Sequence, residues 1–382
     1  GTVTATLTSG AVADLTDLTA DTDNNAALSI TITDNSASAA DLNTINATTT
    51  LAVDATAIAT ISASTLGAIS TLGGAITGGQ FAATNAIATI NVSGDAIDYT
   101  TLGSEIDRFD DFRTDPAIAT FVLADTTTVT LGSQTEVDNF LADVTANLVS
   151  VSGASQAVTV TAAPGGVDIS HTDAIALAAA AGGTVTATIV SGTTVDQLKT
   201  LYDAGETNAY TITIDNADAT GSTAAEFNAI NSATSVAINA AAVTSLSGTA
   251  SDIATLMSAA TDAEQFTGAS FDSVAANGLS ITGTAIDVTD LNNALSRTTA
   301  VSNNTVLATF ASAQGDITVS GGTATEFDSL LALEGTNVNI TGLNLTVDGS
   351  TVSVTQANNL TATTSGTVTA TLTSGAVADL TD

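Results

Sequence analysis

The sequence has no cysteine and no tryptophan among its 382 residues, and only one histidine. Without cysteine, disulfides and thiolate metal sites are excluded. With His171 as the single imidazole, nucleophile–base pairs and the usual zinc sites lack their side chains. His171 itself lies within Ser170-x-x-Asp173, a helix-capping pattern. We therefore predict a structural or surface role for this histidine and no enzyme activity for the chain.

Basic residues are almost as scarce. Four of them stand against 39 acidic residues, and the formal net charge is −35. Nucleic-acid binding is excluded, because it needs cations that displace counterions from phosphates. No apolar run approaches the roughly 18 residues that a membrane span requires. We expect neither nucleic acid nor insertion into a membrane.

Aromatic residues make up 3 % of the chain, although hydrophobic residues reach 44 %. The apolar side chains are thus mainly those of Ala, Val, Ile and Leu. This composition favours a thin aliphatic core.

The sequence repeats itself. Residues 1–17 recur without a change as residues 366–382, and a related stretch, GTVTATIVSG, occupies 183–192. The segment INVSGDAIDYTTL (90–102) also resembles LSITGTAIDVTDL (279–291).

These similarities predict three parts. They are a repeat unit at 1–182, a diverged copy at 183–365, and the start of a further period at 366–382. The expected partners are further copies of the same repeat, joined head to tail within one chain.

Each half contains smaller units with a common pattern. A strand with alternating apolar residues, such as Leu28, Ile30 and Ile32, is followed by a turn and a helix-capping box. Apolar residues directly after the acidic residue, and again three positions later, predict one inward face of a short helix. The boxes are Ser38-x-x-Asp41, Asp95-x-x-Asp98, Ser133-x-x-Glu136, Thr223-x-x-Glu226, Thr249-x-x-Asp252, Thr284-x-x-Asp287 and Thr323-x-x-Glu326.

Strand-plus-helix units at intervals of roughly 20 to 40 residues cannot bury their apolar faces alone, so they must stack on their neighbours. We therefore predict a β-solenoid, similar to a parallel β-helix, with short helices on one side of the coils.

The segment ITVSGGTATEFDSLLAL (317–333) shows the pattern in full. It resembles the long tandem arrays of very large secreted or cell-surface bacterial proteins. The resemblance implies a surface-structural setting and carries no active site. Gly-Gly-x-Gly-x-Asp nonapeptides, the calcium-binding repeats of many exported proteins, are missing.

The leading hypothesis is a structural repeat of a very long extracellular filament, stalk or surface coat. One alternative is an adhesin array, stiffened by calcium, that holds a ligand-binding tip away from the cell. Two remote alternatives are an ice-binding solenoid, suggested by the Thr rows at Thr2, Thr4, Thr6 and at Ser29, Thr31, Thr33, and a solenoid acting on polysaccharide.

Calcium is the only cofactor that the residues suggest. Asp21 and Asp23 lie close together in a polar segment, and the corresponding segment of the second half contains Asp203 and Glu206. Carboxylate oxygens at a turn are ligands that calcium prefers. The simpler interpretation is a pair of solvated turns without metal.

The segment SEIDRFDDFRTDP (104–116) is unusually rich in charges and aromatics. Arg108 aligns with Arg297 of the second half, and both are among only four basic residues. Duplication alone explains this match. The alternative is a lateral contact in which Arg108, Phe109, Phe112 and Arg113, with Arg297, meet carboxylates of a neighbouring filament.

Overall fold

The computed structural model describes residues 4–7, 9–18, 26–82, 87–94, 96–111, 119–124, 127–151, 157–160, 168–205, 207–215, 223–243, 245–261, 266–267, 278–295 and 308–373. The chain forms two compact units, Gly1–Thr188 and Ile189–Asp382. The repeat boundaries at 182/183 and 365/366 concern sequence similarity and stay predictions.

The first unit alternates strands and helices along the chain. Its helices are α1 (Val12–Leu15), α2 (Ala39–Asn46), α3 (Leu66–Thr77), α4 (Tyr99–Asp111), α5 (Gln134–Thr145) and α6 (His171–Ala180). Its strands are β1 (Thr4–Thr6), β2 (Ala27–Ser29), β3 (Ser36–Ser38), β4 (Val53–Asp54), β5 (Thr60–Thr65), β6 (Phe81–Ala82), β7 (Thr89–Ser93), β8 (Ala96–Asp98), β9 (Thr120–Leu123), β10 (Thr128–Leu131), β11 (Val149–Val151), β12 (Ala157–Val160), β13 (Asp168–Ile169) and β14 (Val185–Ile189), the last of which reaches the unit boundary.

The second unit has the same alternation. Its helices are α7 (Val195–Asp203), α8 (Ala224–Ala233), α9 (Ala250–Thr261), α10 (Val288–Leu295), α11 (Ala324–Leu333) and α12 (Val354–Thr363). Its strands are β15 (Ala209–Thr211), β16 (Ile238–Asn239), β17 (Leu246–Thr249), β18 (Phe266–Thr267), β19 (Leu279–Thr282), β20 (Ala285–Asp287), β21 (Thr309–Phe310), β22 (Thr318–Gly322), β23 (Asn344–Val352) and β24 (Val368–Leu372).

Strands that follow one another along the chain often belong to different sheets. The first unit contains one sheet in the order β11-β9-β7-β5-β3 and another in the order β13-β14-β12-β10-β8. The second unit contains sheets in the orders β17-β19-β21 and β20-β22-β23-β24. Neighbouring strands with a defined register are parallel. Consecutive helices pack against each other, from α2 to α6 and from α7 to α12.

The predicted β-solenoid is wrong. The structure is mixed α/β, with twelve α-helices and several separate, short parallel sheets among the described residues. No continuous β-coil closes in the described ranges. The physical reason is the length of the helices: α3 and α4 run for 12 and 13 residues. Helices of this size connect successive parallel strands in α/β proteins, so the chain returns between strands through a helix and not through a continuous β-coil.

The predicted alternation along strands is confirmed. Ile30 and Ile32 are each 1 % exposed, whereas Ser29 and Thr33 are exposed and Leu28 is half-buried. The core is mainly aliphatic, with a few fully buried aromatic rings such as Phe121, Phe140 and Phe227.

Most predicted caps are also confirmed. The hydroxyls of Ser38, Ser133, Thr223 and Thr249 accept hydrogen bonds from the backbone N–H three residues later. At Thr223 the Glu226 carboxylate accepts in return from the Thr223 N–H at 2.7 Å, which completes the box.

Two predicted boxes are placed three residues too early. Helix α4 begins at Tyr99, and Asp98 Oδ1 accepts from the Thr101 N–H, so Asp98 is the cap where Asp95 was predicted. Helix α10 begins at Val288, and Asp287 Oδ1 accepts from the N–H groups of Thr289 and Asp290. Both aspartates end a strand, β8 or β20, whose apolar alternation continues up to them.

Candidate functional site

The structure describes one of the four calcium candidates. Asp203 ends helix α7, where Gly205 follows at a φ of +85° and its N–H donates to the Tyr202 carbonyl. Asp21, Asp23 and Glu206 lie outside the described residues. Among the described residues, no group of three or more His, Cys, Asp or Glu side chains could hold a metal ion. The calcium assignment stays a prediction.

The candidate lateral-contact residues divide in a similar way. Phe112, Arg113 and Arg297 lie outside the described residues. Phe109 is 4 % exposed, and its ring meets Phe121 edge to face with centroids 5.9 Å apart. Its ring therefore contributes to the core of the first unit.

Arg108 is held within its own unit. Its Nη1 lies 3.2 Å from both carboxylate oxygens of Glu105 and donates to the Ser70 carbonyl, also at 3.2 Å. Glu105 is only 2 % exposed, whereas the Arg108 side chain is 35 % exposed. Gly73 of α3 makes room for the pair, because a Cβ there would lie 2.9 Å from Glu105 Oε2 and 3.0 Å from Arg108 Cδ. The ion pair lies within α4, and the hydrogen bond from Arg108 to the Ser70 carbonyl joins α4 to α3.

A groove of about 440 Å³ lies between α4 and α5. Within it the Tyr99 hydroxyl donates a hydrogen bond to Asp143 Oδ2. Asp107 and Glu136 also line the groove. No cation balances these carboxylates among the described residues that line it.

The environment perturbs both partners of this bond. Burial raises the pKa of Tyr99, and the hydrogen bond to Asp143 raises it further. Burial also raises the pKa of Asp143, while the Tyr99 hydroxyl acts in the opposite direction by donating to the carboxylate. The two groups satisfy each other, and their hydrogen bond attaches α4 to α5.

His171 is half-buried, and the described members of the Thr rows are exposed except for Thr31, which is half-buried. His171 is the first residue of α6, and the Ser170 hydroxyl caps that helix by accepting from the Asp173 N–H at 3.1 Å. The predicted cap is confirmed. Thr4 and Thr6 are exposed on β1, while Thr2 lies outside the described residues.

A recurring contact between consecutive helices was missed in the sequence. Asn43 is the fifth residue of α2, and its side-chain amide donates to the carbonyl of Ala68, the third residue of α3, at 2.9 Å. Asn228 in α8 makes the same bond to Asp252 in α9, also at 2.9 Å. Asn292 in α10 reaches the Glu326 carbonyl in α11 at 2.9 Å. The same offset thus recurs in both units.

A second type of bond between consecutive helices starts from a threonine at the second helical position, and in α10 it accompanies the amide bond. Thr100, the second residue of α4, donates to Glu136 Oε1 of α5 at 3.1 Å. Thr289, the second residue of α10, donates to Glu326 Oε1 of α11 at 2.7 Å. The acidic residue that follows a cap therefore also binds the preceding helix.

The sequence does contain a signal for the amide contact. Asp-Leu-Asn follows the cap at Ser38, Glu-Phe-Asn follows the cap at Thr223, and Asp-Leu-Asn follows the cap at Asp287. The asparagine lies two residues after the third helical position, on the side that meets the next helix. An asparagine at the fifth helical position after several caps therefore predicts that each of these helices binds the next helix at the same offset.

No helix among the described residues combines the length and apolarity needed to cross a membrane. Comparisons with protein-family models, with curated proteins and with solved structures find no match to this chain.

Proposed function

We propose that this chain is a structural segment of a much longer repetitive protein outside a bacterial cell. Its role there is to maintain distance and shape in a filament, stalk or surface coat. The observation that carries the proposal is the repeated offset between consecutive helices, in which an asparagine at the fifth helical position binds the third residue of the next helix in both units.

The use of polar groups supports the same role. Asp41, Glu226 and Glu326 act at helix starts, and several acids also contact the neighbouring helix. Side chains used in this way hold one element to the next. The unchanged recurrence of residues 1–17 at 366–382 adds support, because a spacer can be lengthened by adding repeats without altering any repeat.

The proposal is tested by joining one, two and four copies of residues 1–365 in tandem and measuring the contour length by electron microscopy. A spacer should lengthen by a constant amount with each added copy, and its urea midpoint should rise between one copy and four. Particles that grow in all directions, or equal midpoints for the three lengths, would contradict a spacer role.

The location outside the cell needs its own test. Antibodies raised against the second unit should label intact native cells, and labelling restricted to permeabilised cells would contradict it. Melting with added calcium and with chelator separates the adhesin alternative, since a calcium-stiffened array should lose stability in chelator.

A further inference from the structure

The repeated sequence at 1–17 and 366–382 occupies two different positions in the described structure. In the first, β1 pairs with β2, which follows it in the chain: Thr4 lies opposite Ala27, and Ala5 lies opposite Leu28. In the second, β24 pairs with β23, which precedes it. Within the described residues, β24 is the last strand of its sheet, and β1 pairs only with β2. The same residues thus contact a later strand in one copy and an earlier strand in the other.

The two copies use opposite edges of the same peptide backbone. In the first copy, Leu7 N–H donates to the Ser29 carbonyl at 3.0 Å. In the second copy, the Thr367 carbonyl accepts from Leu345 N–H at 2.9 Å, and Thr373 N–H donates to the Val352 carbonyl at 2.8 Å. Thr367 and Thr373 correspond to positions 2 and 8 of the repeat, whereas Leu7 is at an odd position.

Alternate residues of a parallel strand direct their backbone groups to opposite neighbours. The bonds of the first copy and the bonds of the second therefore need different groups of one strand. A single copy of the strand can form both sets at the same time.

The apolar side chains of β24 are also incompletely buried. Leu372 of β24 is 44 % exposed, one of the few large apolar side chains on the surface of the described residues. The related motif at 183–192 places Ile189 at the corresponding position, and there the side chain is 4 % exposed. Val185 and Ala187, which correspond to Val368 and Ala370, are 0 % and 3 % exposed, whereas Val368 and Ala370 are half-buried. The alternate apolar side chains of a related strand are therefore buried when the strand has neighbours on both edges.

We propose that the edge of β24 that faces away from β23, and that pairs with no other strand among the described residues, binds β2 of a second copy of this chain. Residues 366–372 of one molecule then take the place that residues 1–7 occupy in the other. One strand lies between β23 of the first molecule and β2 of the second, with Thr369 opposite Thr346 on one side and Ala27 on the other. This joint rests on the proposed function, because it takes another copy of the repeat as the partner.

When residues 366–372 of one molecule replace residues 1–7 of the other, each described contact between β1 and β2 is re-formed by identical residues. This replacement also covers Leu372 and keeps the pairing between β24 and β23. The opposing factor is β1 itself, which competes for the edge of β2 at high local concentration. Weakening β1 should therefore promote the joint, and weakening the outer edge of β24 should prevent it.

Two proline substitutions at corresponding positions provide the test. In Leu7→Pro the N–H that donates to Ser29 is lost, so β1 releases β2 more easily. In Leu372→Pro the N–H on the edge that faces away from β23 is lost, while the bonds from Thr367 and Thr373 to β23 remain. Sedimentation velocity of the full chain should show about tenfold tighter self-association for Leu7→Pro than for wild type. Leu372→Pro, alone or combined with Leu7→Pro, should remain monomeric.

A crosslinking experiment tests the register without proline. The chain contains no cysteine, so single cysteines report unambiguously. A protein with Ala27→Cys is mixed under oxidising conditions with a protein carrying Thr369→Cys, and a heterodimer is expected because paired strands place Cα atoms within disulfide range. Thr33→Cys mixed with Thr369→Cys is the control, since Thr33 follows Ala27 by six residues and lies beyond the end of β2, about 20 Å away along an extended chain.

Equal association of Leu7→Pro and Leu372→Pro would overturn the joint, and so would a monomeric Leu7→Pro protein that keeps the wild-type circular dichroism. A heterodimer formed equally well with Thr33→Cys would overturn the register. The proposed structural role is tested separately, by the length of covalently joined copies. Failure of the joint or of its register would therefore not decide that test.

Discussion

The ion pair between Glu105 and Arg108 permits a test in which the two single substitutions have very different costs. Glu105 is 2 % exposed and Arg108 is 35 % exposed. In Arg108→Met the buried carboxylate loses its cation. In Glu105→Gln the guanidinium can still reach water and still donates to the Ser70 carbonyl.

The exposures set the expected magnitudes. Removing one partner so that the other remains buried and charged costs about 3–5 kcal/mol. We therefore expect Arg108→Met to lower the free energy of unfolding of the first unit by about 3 kcal/mol. Glu105→Gln loses one charge-assisted contact without burying a charge, and the expected cost is about 1 kcal/mol. The double variant should recover most of the loss seen in Arg108→Met, because an amide beside a methionine buries no charge.

The assay is urea unfolding followed by far-ultraviolet circular dichroism for wild type, both single variants and the double variant at one pH and salt concentration. For a unit of this size, about 3 kcal/mol also corresponds to a fall in Tm of roughly 6–12 °C. The reasoning is refuted if Glu105→Gln costs as much as Arg108→Met, or if the double variant is no more stable than Arg108→Met. Either result would mean that burial of the carboxylate does not control the energy of this contact.

Three further perturbations follow from the described contacts. Asp98→Ala should destabilise the first unit by about 1 kcal/mol through loss of the cap at Thr101 N–H, while Asp98→Asn should cost less; equal losses in urea unfolding would contradict a capping role. Tyr99→Phe should cost about 1.5 kcal/mol at pH 7 and less at pH 3. The pKa of Asp143 is raised above 3.8 in the folded state. Its contribution to stability is therefore fully present below pH 3.8, where the carboxyl is protonated, and is lost as the pH rises through the folded pKa. Without the Tyr99 hydroxyl that pKa rises further, and unfolding at the two pH values should show the smaller loss in acid. Asn228→Ala should cost about 1 kcal/mol in the second unit, measured by urea unfolding, and no loss would show that the bond between helices α8 and α9 is not stabilising.

The caps could be predicted from the sequence because capping depends on residues three positions apart. The hydroxyl at Ser38 and the N–H at Asp41 meet whenever a helix starts between them. The two misplaced boxes show that local sequence alone does not always determine at which residue a helix begins. Asp95 and Asp98 are three residues apart, and the sequence allows either of them to be the cap residue. The strand decides between them, since buried Ile97 pairs with Val129 and keeps Asp98 at the end of β8.

The fold class could not be predicted in the same way. Stacked units of strand and helix are compatible with a continuous β-coil and with separate parallel sheets joined by helices. The difference depends on how the chain returns between strands, which is a long-range property. Helix α3 runs from Leu66 to Thr77 because its apolar residues at Ile69, Leu72 and Ile76 are all buried at helical spacing. The amide contacts could not be predicted for the same reason, since Asn43 binds a carbonyl of the next helix, 25 residues later in the chain.

Charge distinguishes end-to-end joining from lateral bundling. Strands β1, β2 and β24 contain no charged residue, and β23 contains only Asp348, whose Oδ1 already accepts from the Gly321 N–H. The acids are concentrated elsewhere, many of them at helix starts, so two chains side by side bring carboxylates together. With a net charge of −35 this repulsion is strong at low salt and is screened at high salt. Raising the salt from about 0.02 M to 0.5 M should therefore increase light scattering by Leu372→Pro, in which only lateral contacts remain. At low salt that variant should scatter as a monomer while Leu7→Pro associates. If Leu372→Pro associates at low salt as strongly as Leu7→Pro does, lateral contacts are overcoming the repulsion and uncharged edges do not direct assembly.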